Sequence, residues 1–136
     1  MIFINMSMID WHTKKQTTVE GAVFGADFVA MKQGVKALFG ICYKLRMMGV
    51  SIDSPSYVYG NNMSIINNTS KPESCLNKKS NSICYHSISE AVAMKECLTT
   101  HVPTLRKFAD LLTKCLSGKK RRDLVCGILF DIYDYE

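Results

Sequence analysis

The sequence lacks the signals that would place it in most specialised classes. No apolar run approaches the about 18 consecutive residues that a membrane-crossing helix needs. The apolar opening Ile2 to Ile9 is bounded by Asn5 and Asp10, and no small-residue cleavage site follows it, so it is read as strand rather than leader. There are only 3 prolines and 8 glycines, and no repeat or low-complexity tract. The 6 cysteines form no Cys-x-x-Cys and no Cys/His group at metal spacing, which argues against zinc. Without a leader they also argue against a disulfide framework. The four Asn-x-Ser/Thr triplets, opening at Asn5, Asn62, Asn67 and Asn68, then carry no meaning as glycosylation sites. The expectation is a soluble intracellular chain, cytoplasmic or nuclear, with no membrane partner.

What is present describes an ordinary globular domain. At 136 residues with 47% hydrophobic and 21% charged residues, the chain can bury a core of its own. Lys and Arg number 17 against 12 Asp and Glu, a net charge of +5 that is compatible with nucleic acid without requiring it.

Local patterns give the order of elements. Ile2–Ile4 and Met8–Trp11 read as a hairpin turning at Asn5 to Ser7, with Trp11 in the strand core. A polar stretch then ends at Thr17 and Thr18, which can cap a helix. From Ala22 to Met48, Phe24, Phe28, Met31, Val35, Leu38, Cys42 and Leu45 recur at steps of three and four, one face of a long helix. Gly49 is placed to stop it, and Gly34 and Gly40 each weaken it by up to about 1 kcal/mol. Tyr57 to Tyr59 is a short strand, 61–68 a short helix or turn, and 72–79 a polar loop. Asn81 to Lys95 carries Cys84, Ile88, Ala91 and Val92 at helical spacing, and Leu98 to Val102 reads as a further strand. Phe108–Leu116 and Asp123–Tyr133 are the last two expected helices, with the basic run Lys119 to Arg122 between them. Strands alternating with helices after a hairpin predict an α/β domain, a mixed sheet with helices on its faces.

Several literal segments say more than periodicity does. Trp11-His12-Thr13-Lys14-Lys15-Gln16-Thr17-Thr18-Val19-Glu20 resembles the W-x-S-K-K-Q-x-T-V-E segment of copia-type retrotransposon Pol polyproteins. Phe24 to Met31 resembles the A-E-F/Y-x-A-M/L helix that follows it, and Tyr43 to Gly49 continues the likeness. Tyr59-Gly60-Asn61-Asn62-Met63-Ser64 is similar to Y/F-C/G-D-N-x-S, and Ala109 to Lys114 to A-D-L/I-L-T-K. Order and spacing hold from about Ile2 to Leu116. The resemblance is to the ribonuclease H-like domain of those polyproteins. It implies a ribonuclease H-like domain over 1–116, truncated at its N-terminus, followed by a basic segment and C-terminal helix over 117–136.

The resemblance implies hydrolysis of the RNA strand of an RNA–DNA hybrid by four carboxylates and two divalent ions, usually Mg2+. Magnesium is a hard cation that takes charged oxygens, and a pair of ions can serve both the attacking and the leaving oxygen. The family's first aspartate lies on a central strand upstream of the hairpin, where this chain has no counterpart. Its glutamate corresponds to Asp27, shorter by one carbon–carbon bond of about 1.5 Å. Its third carboxylate corresponds to Asn61, whose amide brings no charge, and its fourth to Asp110. The catalytic positions are thus Asp27, Asn61 and Asp110, with Asp27 and Asp110 as the remaining metal ligands. The expectation is an inactive, degenerate copy with at most weak nucleic-acid binding. The alternative is a fragment completed by an upstream Pol segment, next to the reverse transcriptase, that supplies the missing strand and aspartate.

Other residues divide between surface and site roles. Lys14, Lys15, Lys78 and Lys79 sit in loops that in this family contact the nucleic-acid backbone. His86, beside Tyr85, reads as a partly buried structural histidine, and His101 as a distant match to a loop histidine of cellular enzymes of this fold. The run Lys119 to Arg122 reads first as a solvated helix entry, with phosphate contact as its functional counterpart. Without the central strand, Ile2–Ile4 and Tyr57–Tyr59 should each face unpaired backbone.

Overall fold

The period-3.6 apolar stripe of the sequence becomes a 25-residue helix, and the rest of the larger unit is built around it. The structure is a computed structural model that describes residues 1–5, 7–13, 23–71 and 82–129. The class is α/β, as the pattern predicts. The order is β1 (Ile2–Ile4), β2 (Ser7–Asp10), α1 (Val23–Met47), β3 (Ser56–Gly60), α2 (Met63–Ser70), α3 (Ser82–Ala93), β4 (Cys97–His101), a 3-10 turn (Thr104–Arg106), α4 (Asp110–Thr113) and α5 (Gly118–Cys126). The chain divides into two compact units, one of residues 16–102 and one of residues 1–15 with 103–136. None of the helices among the described residues is long and apolar enough to cross a membrane.

In the larger unit, the predicted stripe of α1 faces inward. Phe28 and Val35 are fully buried, and Phe24, Met31 and Leu38 pack against the same core. The helix stops at Gly49, whose φ of 82° is a conformation that L side chains rarely adopt. Two reversed hydrogen bonds close the end, Val50 N–H to Leu45 O and Gly49 N–H to Arg46 O, both 3.0 Å. α3 ends the same way around Lys95, at φ 57°, with Glu96 N–H bonded to Ala91 O at 3.1 Å. That turn feeds straight into β4.

β3 and β4 pair in parallel, Ser56 opposite Cys97 through to Gly60 opposite His101. A parallel pair needs a long crossover, which α2 and α3 supply. The alternation of β3 turns Val58 toward the helices and leaves Tyr57 and Tyr59 exposed on the other face, their rings stacked at 6.1 Å. Ile65 from α2, Ile88 and Ala91 from α3, and Cys97 from β4 complete the buried cluster. Thr69 joins α2 to β4 through a 3.1 Å hydroxyl contact with Thr99.

In the other unit, β1 and β2 form the predicted antiparallel hairpin, with an irregularity between Ile2 and Phe3. Asn5 takes a left-handed φ of 54°, which asparagine tolerates better than most residues. The Phe3 ring lies 5.8 Å from that of Phe108, and Leu124 of α5 is buried. Each sheet has two strands, so β1 and β3 each keep an edge without a strand partner among the described residues.

Four expectations need correction. The helix read over Phe108–Leu116 shrinks to the four residues of α4, because Lys114 is already extended (φ −133°, ψ 146°). So short a segment makes too few backbone bonds to propagate. The terminal helix starts at Gly118 rather than Asp123, so Lys119 to Arg122 lie inside it. Lysine and arginine are good helix formers, and a charge run does not break a helix. Trp11 follows β2 and is 61% exposed, so it is not strand core. His86 is exposed, its ring edge-on to Tyr85 at 5.2 Å, rather than partly buried. The cap at Thr17–Thr18 and the loop 72–79 lie outside the described residues.

Candidate functional site

The local site of the larger unit forms where the N-terminal part of α1 meets the start of α2. Gly60 ends β3 and lies tight against α1 and α2. A Cβ there would come within 2.9 Å of Met31 Cε and 3.3 Å of Ile66 Cδ1. This close approach delivers Asn61 and Asn62 beside the first turns of α1. Asn62 is the N-cap of α2, in extended conformation (φ −95°, ψ 101°), and its Oδ1 accepts the Ser64 N–H at 3.2 Å. Its Nδ2 donates to Asp27 Oδ2 at 3.0 Å. Asp27 is half-buried on α1, and Asn61 is half-buried between Gly60 and the cap.

The structure brings Asp27 into contact with Asn62, the neighbour of Asn61. That contact was not anticipated. The signal was available: asparagine is among the strongest N-caps, and Ser64 stands two residues on. Chemically the arrangement is one carboxylate held by one amide. The Asn62 amide is used at both ends, its NH2 donating to Asp27 and its oxygen accepting from Ser64 N–H.

Asp110 belongs to the other unit and has different company. Its side chain is 2% exposed, at the first residue of α4. Lys114 Nζ donates to its Oδ2 at 3.1 Å, and Lys107 and Lys120 place their ammonium nitrogens 4.0 Å from Oδ1 and Oδ2. A carboxylate this buried must be compensated, and three cations from the 3-10 turn's end, the C-cap of α4 and α5 do so. Such a setting repels a further cation at the same oxygens.

No group of three or more His, Cys, Asp or Glu among the described residues is gathered in a way that could hold a metal ion. His101 is exposed at the end of β4. The loop lysines Lys14, Lys15, Lys78 and Lys79 lie outside the described residues. Cys42, Cys84, Cys97, Cys115 and Cys126 are free thiols. Burial, with Glu96 as the lesser contributor, pushes the Cys97 thiol above its ordinary pKa, so it stays protonated and inert as a nucleophile at neutral pH.

No family model and no solved structure matches the chain. Over 117 residues, 86% of its length, it is 26% identical to the Retrovirus-related Pol polyprotein from transposon RE2 of Arabidopsis thaliana. It has the same identity over the same share to the Retrovirus-related Pol polyprotein from transposon RE1 of that plant. The chain spans 8% of the length of each. Nearly the whole chain is thus similar to one short stretch of retrotransposon Pol polyproteins, which supports a retrotransposon Pol origin.

Proposed function

We propose that this chain is a degenerate fragment of a copia-type retrotransposon ribonuclease H domain that no longer cleaves RNA–DNA hybrids and retains at most weak nucleic-acid binding. The likeness to Pol polyproteins supports the origin, and the segments around Asp27, Asn61 and Asp110 support the domain. The observation that carries the loss of activity is the donor set. Of the three family positions in this chain, Asn61 is neutral, and Asp110 is engaged by Lys107, Lys114 and Lys120. Asp27 accepts a hydrogen bond from Asn62. Two magnesium ions need several charged oxygens facing one space, and these residues do not fit that requirement.

The test is a magnesium and manganese titration by calorimetry, paired with an RNA–DNA hybrid cleavage assay on the same folded sample. No binding heat and no cleavage are expected. Metal-dependent cleavage that disappears in Asp110→Ala would overturn the proposal.

A second reading is a ribonuclease H fragment completed by an upstream Pol segment. The edge of β3 that has no strand partner among the described residues, in a parallel pair, favours it, since parallel sheets are ordinarily covered and flanked. Asn61 weighs against it, because an added strand does not restore an internal charge. Hybrid cleavage by a chain extended upstream with its natural sequence, while Asn61 is kept, would establish this reading over the first.

A further inference from the structure

Residues 103–136 contain seven Lys or Arg and five Asp or Glu, and over 103–129 the balance is seven to two. Of the two acids, Asp110 is buried and serves three lysines at once. Lys107, Lys114 and Lys120 converge on it at 4.0, 3.1 and 4.0 Å, with side chains 28%, 52% and 27% exposed. Lys114 is the most exposed of the three, so its ammonium group also faces solvent. On α5, Lys119, Arg121 and Arg122 are exposed beside it.

The placement of these cations runs against helix electrostatics. α5 begins at Gly118, so Lys119, Lys120 and Arg121 occupy its first turn and Arg122 follows directly. That turn has no acidic residue, and the N-cap Ser117 makes no side-chain cap bond. Positive charge at a helix N-terminus is unfavourable, and only Lys120 is compensated within the described residues of this unit. A fold that gathers cations at the positive end of a helix, anchored to one buried anion, is poised for an external anion.

We propose that this face, formed by Lys114, Lys119, Lys120, Arg121 and Arg122, binds the phosphate backbone of nucleic acid, with Asp110 as its positioning residue. The inference rests on the nucleic-acid binding proposed above and assigns it to residues other than the loop lysines. The cations are spread along two helices and their junction, which suits repeating phosphates better than one small anion. A bilayer is a poorer partner. The apolar residues of α5 turn inward, with Leu124 3% exposed and Val125 half-buried, so the helix has no apolar face to insert.

The test uses the full chain and a labelled 20-base-pair RNA–DNA hybrid, followed by fluorescence anisotropy between 50 and 200 mM salt, about the range over which phosphate contacts weaken most visibly. Lys119→Gln/Arg121→Gln/Arg122→Gln should lose affinity and flatten the salt slope by about 0.9 per removed contact. These side chains are exposed, so the variant keeps its fold, and Arg121→Glu alone gives the same direction. Asp110→Asn removes a negative charge, which by charge alone strengthens binding. Anchoring of the three lysines instead predicts weaker binding and a shallower salt slope, with rescue by Asp110→Glu. Unchanged affinity and slope in the triple variant would overturn this surface while leaving nucleic-acid binding standing. No binding by the natural chain at the lowest salt overturns both. Tighter binding to phosphatidylserine vesicles than to the hybrid overturns the choice of partner.

Discussion

Asn62 ties the start of α2 to α1, its Nδ2 donating to Asp27 Oδ2 at 3.0 Å while its Oδ1 caps Ser64 N–H at 3.2 Å. One side chain thus satisfies an orphan helix donor and a half-buried carboxylate. Asn62→Ala should cost about 2 kcal/mol, from the lost cap and the lost charge-assisted bond together. A double-mutant cycle with Asp27→Ala, read from urea midpoints, isolates the bond between them. Its coupling should be about 1 kcal/mol, and additive single effects would show that the contact contributes nothing.

The elements that were legible in the sequence are those with a strong period or a strong stop. α1 carries seven stripe residues over six turns and ends at Gly49, and both features were readable at the level of single residues. β3 and β4 were readable as short runs, but their pairing was not, because parallel register depends on the crossover packing of α2 and α3. The short α4 and the displaced α5 were misplaced for the opposite reason. In a weakly apolar stretch, local propensity decides where helix begins, and the basic run Lys119 to Arg122, made of helix formers, lies within α5 rather than ahead of it. Residue identity singles out Asp27 and Asn61, whereas the contact of Asp27 with Asn62 depends on the packing of α1 against α2. The engagement of Asp110 by three lysines was hidden, since Lys120 lies ten residues away and meets it only through the fold.

Asp110 should behave as a structural anchor. Asp110→Ala removes the common partner of Lys107, Lys114 and Lys120, all partly exposed and able to rehydrate. A loss of about 1.5–3 kcal/mol is expected, the range for hydrogen bonds to charged groups. The loss should be local: hydrogen exchange is expected to accelerate in α4 and α5 and to stay unchanged in α1 and α3. Uniform acceleration in all four helices would refute a local anchor.

Cys97 is fully buried in the core, and its thiol titrates above its ordinary value of 9.0. The folded state holds that proton more tightly than the unfolded chain does. The contribution to stability is therefore constant below the unfolded thiol pKa and declines as the pH rises above it. Cys97→Ala should lessen this alkaline decline while lowering stability at neutral pH through the cavity it leaves. Native-state alkylation followed by mass spectrometry should label the exposed Cys115 and Cys126 first and Cys97 only on unfolding. Early modification of Cys97 would contradict its burial.

Two glycines in helical surroundings should respond in opposite directions. Gly40 lies on α1 with nothing within 4 Å of the position its Cβ would take, so Gly40→Ala gains helix propensity without a clash. A stabilisation of about 0.5–1 kcal/mol is expected. Gly127, the C-cap of α5, is different: its Cβ would come within 2.8 Å of Phe108 Cε1 and 3.0 Å of Cζ. The Phe108 ring lies against Phe3 at 5.8 Å, so it is not free to yield, and Gly127→Ala should cost about 1–3 kcal/mol as an overpacked contact. Adding Phe108→Leu to Gly127→Ala should recover part of that cost by giving the new methyl room. If thermal melts show no recovery in the pair, the penalty comes from the C-cap backbone rather than from the ring.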